Sequence, residues 1–232
     1  MLSYKDISED VMHKALVLLN GCGHRDGSEI HEAVFALEAC EAYFDSYQVV
    51  CPDGRLAGVV NHCSGDEEKG LPRVMIEESA RISRGKSLPL KDCNFSEFQA
   101  LIIPGGFGVA RNLCNFAAAG QEMEVRKDVA DLLHWFHGAK RPVGLICIAP
   151  VLAAKVLGSR NPVLTLGDSK ETESILTGWG ARMEKCAPGE FLCDKDNHLF
   201  STPAYMHAES RLSDIRRGIR LMVEDMRKHC VV

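Results

Sequence analysis

Residues 143–150 read VGLICIAP, an apolar run that ends in a cysteine, two small or apolar residues and a proline. An unbroken apolar run of this length, without a helical period, describes a strand buried on both faces, as parallel sheets require. Proline suits the first turn of a helix, so the strand gives way to a helix at Pro150. Cys147 stands where the two meet. Cysteine is often a small buried hydrophobe, so on these eight residues alone core packing and a functional elbow both stand open.

Working outward, the same alternation recurs. Before the run, Val125, Val129, Leu132, Leu133 and Phe136 mark an amphipathic helix stopped by Gly138, and QALIIPGGFG (99–108) is a strand entering a Gly-rich turn. After it come a strand at PVLTLGD (162–168), a helix at TESILTGWG, and a strand pair within FLCDKDNHLFST (191–202). Leu212, Ile215, Ile219, Met222, Val223 and Met226 share one face of a closing helix. Toward the N-terminus, KALVLLN (14–20) is a strand, and Ile30, Val34, Leu37 and Phe44 set a helix ending at Asp45. YQVVCPDG (47–54) is a second strand, 55–68 a polar connector and LPRVMIEESARI (71–82) a helix. Apolar strands alternating with helices imply right-handed crossovers and a mostly parallel sheet with helices on both faces. The expectation is one doubly wound α/β domain over 1–232, with its core at about 14–226.

Composition narrows the function. The chain has 232 residues, 46% hydrophobic and 25% charged, with a net charge of −5. No basic field points to nucleic acid, and no run approaches the ~18 apolar residues of a membrane span. The N-terminus, MLSYKDISED, is polar, without the apolar core of a signal peptide or the Arg-rich character of a transit peptide. The expected location is therefore the cytoplasm. The ten cysteines contain no CxxC pair, so neither a disulfide framework nor a structural zinc site is expected.

On doubly wound sheets, ligands sit beyond the carboxyl ends of the strands. The loops after 14–20, 99–104 and 143–146 should open on that edge, carrying GCGHRDGSEIHE (21–32), PGGFGVARN (104–112) and Cys147. A cysteine ahead of a helix N-terminus gains thiolate character and can act as a nucleophile. The PGGFG glycines either bring backbone N–H groups close to a ligand, as an oxyanion hole needs, or only close a tight turn. Asp26-Gly-Ser-Glu29 has capping-box spacing with Asp26 as N-cap. Glu32 lies off the stripe of Ile30, Val34 and Leu37, which describes a solvated first-turn acid. His24 and His31 could line a pocket, and His207 begins the last helix. His134 and His137, at i,i+3 without a third ligand, are solvated helix positions, and no metal is expected.

NGCGHRDGSEIHEAV (20–34), PGGFGVARNLCNFA (104–117), GLICIAP (144–150) and STPAYM (201–206), in this order, resemble the PfpI-like and class I glutamine amidotransferase-like superfamily. Within it they resemble the ElbB-type branch, associated with isoprenoid biosynthesis and with glyoxalase activity. The likeness spans about 14–226. It implies a flavodoxin-like fold, a homodimer, no cofactor, and a small dicarbonyl substrate such as methylglyoxal. By position it implies Cys147 as nucleophile and Glu32 as the acid bonded to its sulfur, against the reading of the helical stripe. The backbone of Gly106 and Ile148, with Gly105 beside them, would form the oxyanion pocket, and Glu29, His31 and Asn112 would line it. The Cys-His elbow of peptidase branches is absent, since Ile148 follows Cys147, and 162–180 holds no histidine for a later His-Glu pair. A cofactor-independent glyoxalase is thus expected. The alternatives are a redox-sensing or chaperone-like protein using the same thiol, and a cysteine amidohydrolase.

Overall fold

The computed structural model describes residues 12–70, 72–207 and 209–230. Its strands are β1 (Lys14–Leu18), β2 (Ser46–Cys51), β3 (Ser87–Pro89), β4 (Ala100–Ile103), β5 (Val143–Ile146), β6 (Val163–Leu164), β7 (Arg182–Met183), β8 (Leu192–Asp194) and β9 (Leu199–Thr202). Its helices are α1 (Ile30–Tyr43), α2 (Met75–Ile82), α3 (Phe116–Ala119), α4 (Lys127–Gly138), α5 (Pro150–Leu157), α6 (Lys170–Gly178) and α7 (Leu212–Lys228). Seven strands form one sheet in the order β3-β2-β1-β4-β5-β9-β8, parallel except for β8, which runs antiparallel to β9. The expected doubly wound α/β architecture is what forms.

The three central strands carry the most apolar runs, and ALII of β4 and VGLI of β5 are buried throughout. Leu16, Leu101 and Leu145 pack toward α4 and α5 on one face. Val17, Ile102 and Ile146 pack toward α1 and α7 on the other. This alternation follows from the period of two along a strand. Gly144 lets the thioethers of α7 lie against β5, because a Cβ there would stand 2.6 Å from the Met226 sulfur.

Four expectations are corrected. PVLTLGD does not join the main sheet: Val163 and Leu164 pair with Arg182 and Met183 in a separate two-stranded ribbon. Asp26 is not the N-cap of α1. Its Oδ2 accepts the Val60 N–H at 2.8 Å, while Glu29 caps the helix by accepting the Glu32 N–H at 2.7 Å. The buried face of α1 is Glu32, Ala33, Ala36, Ala39 and Cys40, whereas Ile30 and Val34 are exposed. Small side chains let α1 lie close to its neighbours, and that closeness outweighs side-chain hydrophobicity in deciding which face is covered. His207 precedes the last helix, bonding Asp168 Oδ2 at 2.8 Å and the Cys186 carbonyl at 2.9 Å. Sequence reading also passed over a five-residue π-turn, Val109–Leu113, in the loop after β4. Among the described residues no helix is long and apolar enough to cross a membrane.

Candidate active site

The three loops predicted to share an edge do meet, at the carboxyl ends of β1, β4 and β5. β5 ends at Ile146, and Cys147 takes φ +60°, in the left-handed region that costs a non-glycine residue about 1–2 kcal/mol. Hydrogen bonds hold this bend: the Cys147 N–H donates to the Thr202 carbonyl at 3.0 Å and the Ala149 N–H to the Ile146 carbonyl at 3.0 Å. α5 then begins with Pro150 in its first turn. The bend turns the Cys147 side chain out of the strand and into the wall of a cavity, where it is 8% exposed.

Glu32 meets it from α1 and is fully buried. Its Oε2 accepts the Gly105 N–H at 2.9 Å, its Oε1 faces the Tyr205 N–H at 3.5 Å, and its carboxyl bonds the Cys147 sulfur. Gly105 has to be glycine: a Cβ would stand 2.5 Å from Cys147 Cβ and 2.7 Å from Glu32 Oε2. Burial pushes the Glu32 carboxyl up to about 8, helped by the nearby Glu29 carboxylate and opposed by the two backbone donors. The acid is therefore protonated at neutral pH. Burial also pushes the Cys147 thiol up, as does Glu32, while the backbone N–H groups of Gly106 and Ile148 donate to the sulfur and pull it back. Burial and the neighbouring acid thus work against the thiolate character expected of a cysteine ahead of a helix.

Gly106 and Ile148 therefore stand where an oxyanion pocket was expected. Gly105 does not share that role, since its N–H is taken by Glu32. Gly106 has φ +96°, and a Cβ there would collide with the Glu29 backbone nitrogen. Glu29, His31, Gly106, Cys147 and Ile148 line one cavity of about 990 Å³. Asn112 does not line it. It is buried beside the loop after β1, donating from Nδ2 to the Asn20 carbonyl at 3.0 Å and the Asp26 carbonyl at 2.8 Å. Its Oδ1 accepts the Ala57 N–H at 2.9 Å. The residue ties three loops together from behind.

Sequence reasoning left several lining residues without a role. Tyr205 and Met206 come from STPAYM, beyond the carboxyl end of β9, and the strand-end rule applied to that strand finds them. Tyr205 hydroxyl bonds His31 Nδ1 at 2.7 Å. Arg25, Phe107 and Arg111 form the outer wall with His24, and Arg111 pairs with Glu67. Among the described residues, Cys193, Asp225 and His229 have donor atoms within 4.8 Å of one another, on β8 and the end of α7. They stand apart from the cavity, and the Lys228 ammonium lies 3.8 Å from Asp225.

No family model matches the chain. A rat protein, "ES1 protein homolog, mitochondrial", is 38% identical over 222 residues, covering 91% of this chain and 82% of that one. The human "glutamine amidotransferase-like class 1 domain-containing protein 3, mitochondrial" is 38% identical over 219 residues, with 90% and 81% covered. Zebrafish "ES1 protein, mitochondrial" is 31% identical over 206 residues, with 82% and 76% covered. Among solved structures, an isoprenoid biosynthesis protein with an amidotransferase-like domain from Ehrlichia chaffeensis superposes with TM-score 0.85 at 30% identity, covering 94% of this chain and 99% of that one. Drosophila melanogaster DJ-1beta, at 18% identity and TM-score 0.51 over 94% of this chain and 96% of that one, shares the fold.

These relatives correct the expected cytoplasmic location, since all three curated proteins are named mitochondrial. That expectation rested on the polarity of the first residues, which lie outside the described part, and a few polar residues do not define a compartment. The chain belongs to the ES1 family of glutamine amidotransferase-like class 1 domain proteins.

Proposed function

We propose that the chain is a cofactor-independent glyoxalase, converting methylglyoxal or glyoxal to the corresponding hydroxy acid. The observation that carries this reading is the protonated Glu32 carboxyl bonded to Cys147 in the wall of a cavity with backbone donors beside the sulfur. The pair loses its first proton from Glu32, and the carboxylate then takes the proton of the Cys147 thiol, giving a thiolate beside a carboxylic acid for the attack. The thiolate attacks the aldehyde carbon, forming the carbon–sulfur bond, and Glu32 gives its proton to the aldehyde oxygen. The hemithioacetal so formed keeps its hydrogen on the attacked carbon.

The Glu32 carboxylate then removes that hydrogen, leaving an enediolate, and returns it to the neighbouring carbon while the hydroxyl proton shifts to the second oxygen. The product of this step is a 2-hydroxy thioester on Cys147. The N–H groups of Gly106 and Ile148 are suited to stabilise the enediolate oxygen. A carboxyl titrating near 8 is a stronger base than an ordinary glutamate and still a competent acid, the balance that two-way proton transfer needs. Water cleaves the carbon–sulfur bond, with the electron pair returning to sulfur, and releases the hydroxy acid. The sum is one dicarbonyl and one water giving one hydroxy acid.

The redox-sensing alternative uses the same buried thiol, and no observation favours it over the glyoxalase reading. The deciding experiment measures lactate formed from methylglyoxal without glutathione. Wild type should turn over and Cys147→Ala should not; equal rates in the two would refute the reading.

A further inference from the structure

Release of the thioester needs a base for water, and the elbow lacks the histidine that would follow a nucleophilic cysteine. We propose that His31 is that base and that Tyr205 is its positioning residue, an inference that rests on Cys147 being the nucleophile. Both side chains line the same cavity wall as Cys147. Tyr205 hydroxyl holds His31 Nδ1 at 2.7 Å, and the Glu29 carboxylate lies 3.6 Å from the same nitrogen. In the tautomer whose Nδ1–H donates to the Tyr205 hydroxyl, Nε2 is the unprotonated nitrogen left to take a proton from water. The backbone N–H of Tyr205 faces Glu32 Oε1, so one short segment after β9 touches both the acid on Cys147 and the imidazole.

Two neighbouring imidazoles, His24 in the cavity wall and His62 behind it, are less suited. His62 Nδ1 bonds the Val60 carbonyl at 3.0 Å and Nε2 accepts the Arg25 N–H at 3.3 Å, so both nitrogens are occupied. His24 stacks edge-on against His62 in the outer wall. Chain placement explains why one-dimensional reading found no triad. The imidazole comes from the first turn of α1, one residue before the acid, and its orienting hydroxyl comes from residue 205. Adjacent helix positions point about 100° apart. Glu32 can therefore enter the buried floor while His31, half exposed, faces the cavity.

In the step itself, His31 Nε2 takes a proton from water as its oxygen bonds to the acyl carbon. The carbon–sulfur bond breaks with its electron pair going to sulfur, and the imidazolium passes the proton to that sulfur, restoring the thiol. No co-reactant beyond water is consumed.

p-Nitrophenyl acetate separates the two stages, because acylation of Cys147 releases a burst of nitrophenolate and deacylation sets the steady state. His31→Ala should keep the burst and lose on the order of 100-fold in steady-state rate. Added imidazole should restore at least about tenfold of that loss, a rescue that a structural role would not give. Tyr205→Phe should show a smaller loss in the same stage. An unchanged steady state in His31→Ala, a burst lost together with the steady state and no rescue, or no burst in wild type would each overturn the inference. A burst without lactate formation from methylglyoxal would instead sink the glyoxalase reading and leave His31 standing. Lactate formation that His31→Ala leaves untouched does the reverse.

Discussion

The Glu32 carboxyl and the Cys147 sulfur lie within hydrogen-bond reach of each other across the interface between α1 and the β5 elbow, more than a hundred residues apart in the chain. Neither is free to ionise independently. Burial penalises either charge, and a charge on one raises the penalty on the other. Backbone donors from Gly105, Gly106, Ile148 and Tyr205 offset part of this cost, and the balance still leaves both groups protonated at neutral pH.

Stability should therefore depend on pH through Glu32. Its folded value of about 8 lies above that of an unfolded glutamate near 4.5, so the folded state binds the extra proton. The contribution is fully present below about 4.5 and is lost progressively as pH rises to about 8, on the order of 5 kcal/mol over the window. Glu32→Gln, which mimics the protonated acid, should remove that slope. Parallel urea unfolding of the two proteins between pH 5 and 8.5 checks it, and superimposable pH curves would count against the assignment.

Alkylation of Cys147 should be slow at neutral pH and keep rising past pH 8. Peptide mapping after iodoacetamide treatment reads the rate at each pH, with exposed Cys63 as the internal reference. A rate for Cys147 that is already level at pH 7 would mean a resting thiolate.

Gly105→Ala should damage fold and site together. Its Cβ would press on Cys147 Cβ at 2.5 Å, on Glu32 Oε2 at 2.7 Å and on the Ile146 carbonyl at 2.8 Å. The Ile146 carbonyl is backbone, Cys147 Cβ is fixed to it, and Glu32 Oε2 is buried and held by the Gly105 N–H, so about 1–3 kcal/mol of stability should be lost. Thermal denaturation measures that loss, and methylglyoxal turnover should fall with it.

Asn112→Ala should separate stability from chemistry. It leaves the Asn20 and Asp26 carbonyls and the Ala57 N–H without their side-chain partner, a loss of about 2–4 kcal/mol. The side chain reaches no part of the cavity wall, so at a temperature where the variant is folded the Cys147 alkylation rate should match wild type. A large change in that rate would place Asn112 nearer the chemistry than its contacts do.

The alternation of strands and helices and the shared loop edge were legible in the sequence because buried parallel strands such as ALII and VGLI announce themselves by composition alone. The elbow at Cys147 was legible for the same reason, since Pro150 marks where the strand must stop. Glu32 was not legible from periodicity. The stripe of Ile30 and Val34 drew attention to the face that is exposed, while the alanines that allow close packing carry little hydrophobic signal. Only the family motif pointed to the acid. Asn112 was misjudged because its neighbour Arg111 does reach the cavity, and one residue's difference within an irregular turn cannot be read from spacing. The Tyr205–His31 contact joins segments separated by 174 positions, and no local rule reports it.

That irregular turn carries a constraint of its own. The π-turn at Val109–Leu113 holds one more residue than a helical turn, and this sends the Arg111 guanidinium to the cavity mouth while Asn112 points inward. A single-residue deletion ahead of Arg111 would bring Asn112 to the position that Arg111 now holds and Leu113 to that of Asn112. The length of this segment therefore bears on the cavity more than the identity of residue 111 does. Variation in what the pocket accepts is left to come from side-chain exchange on a backbone of fixed length.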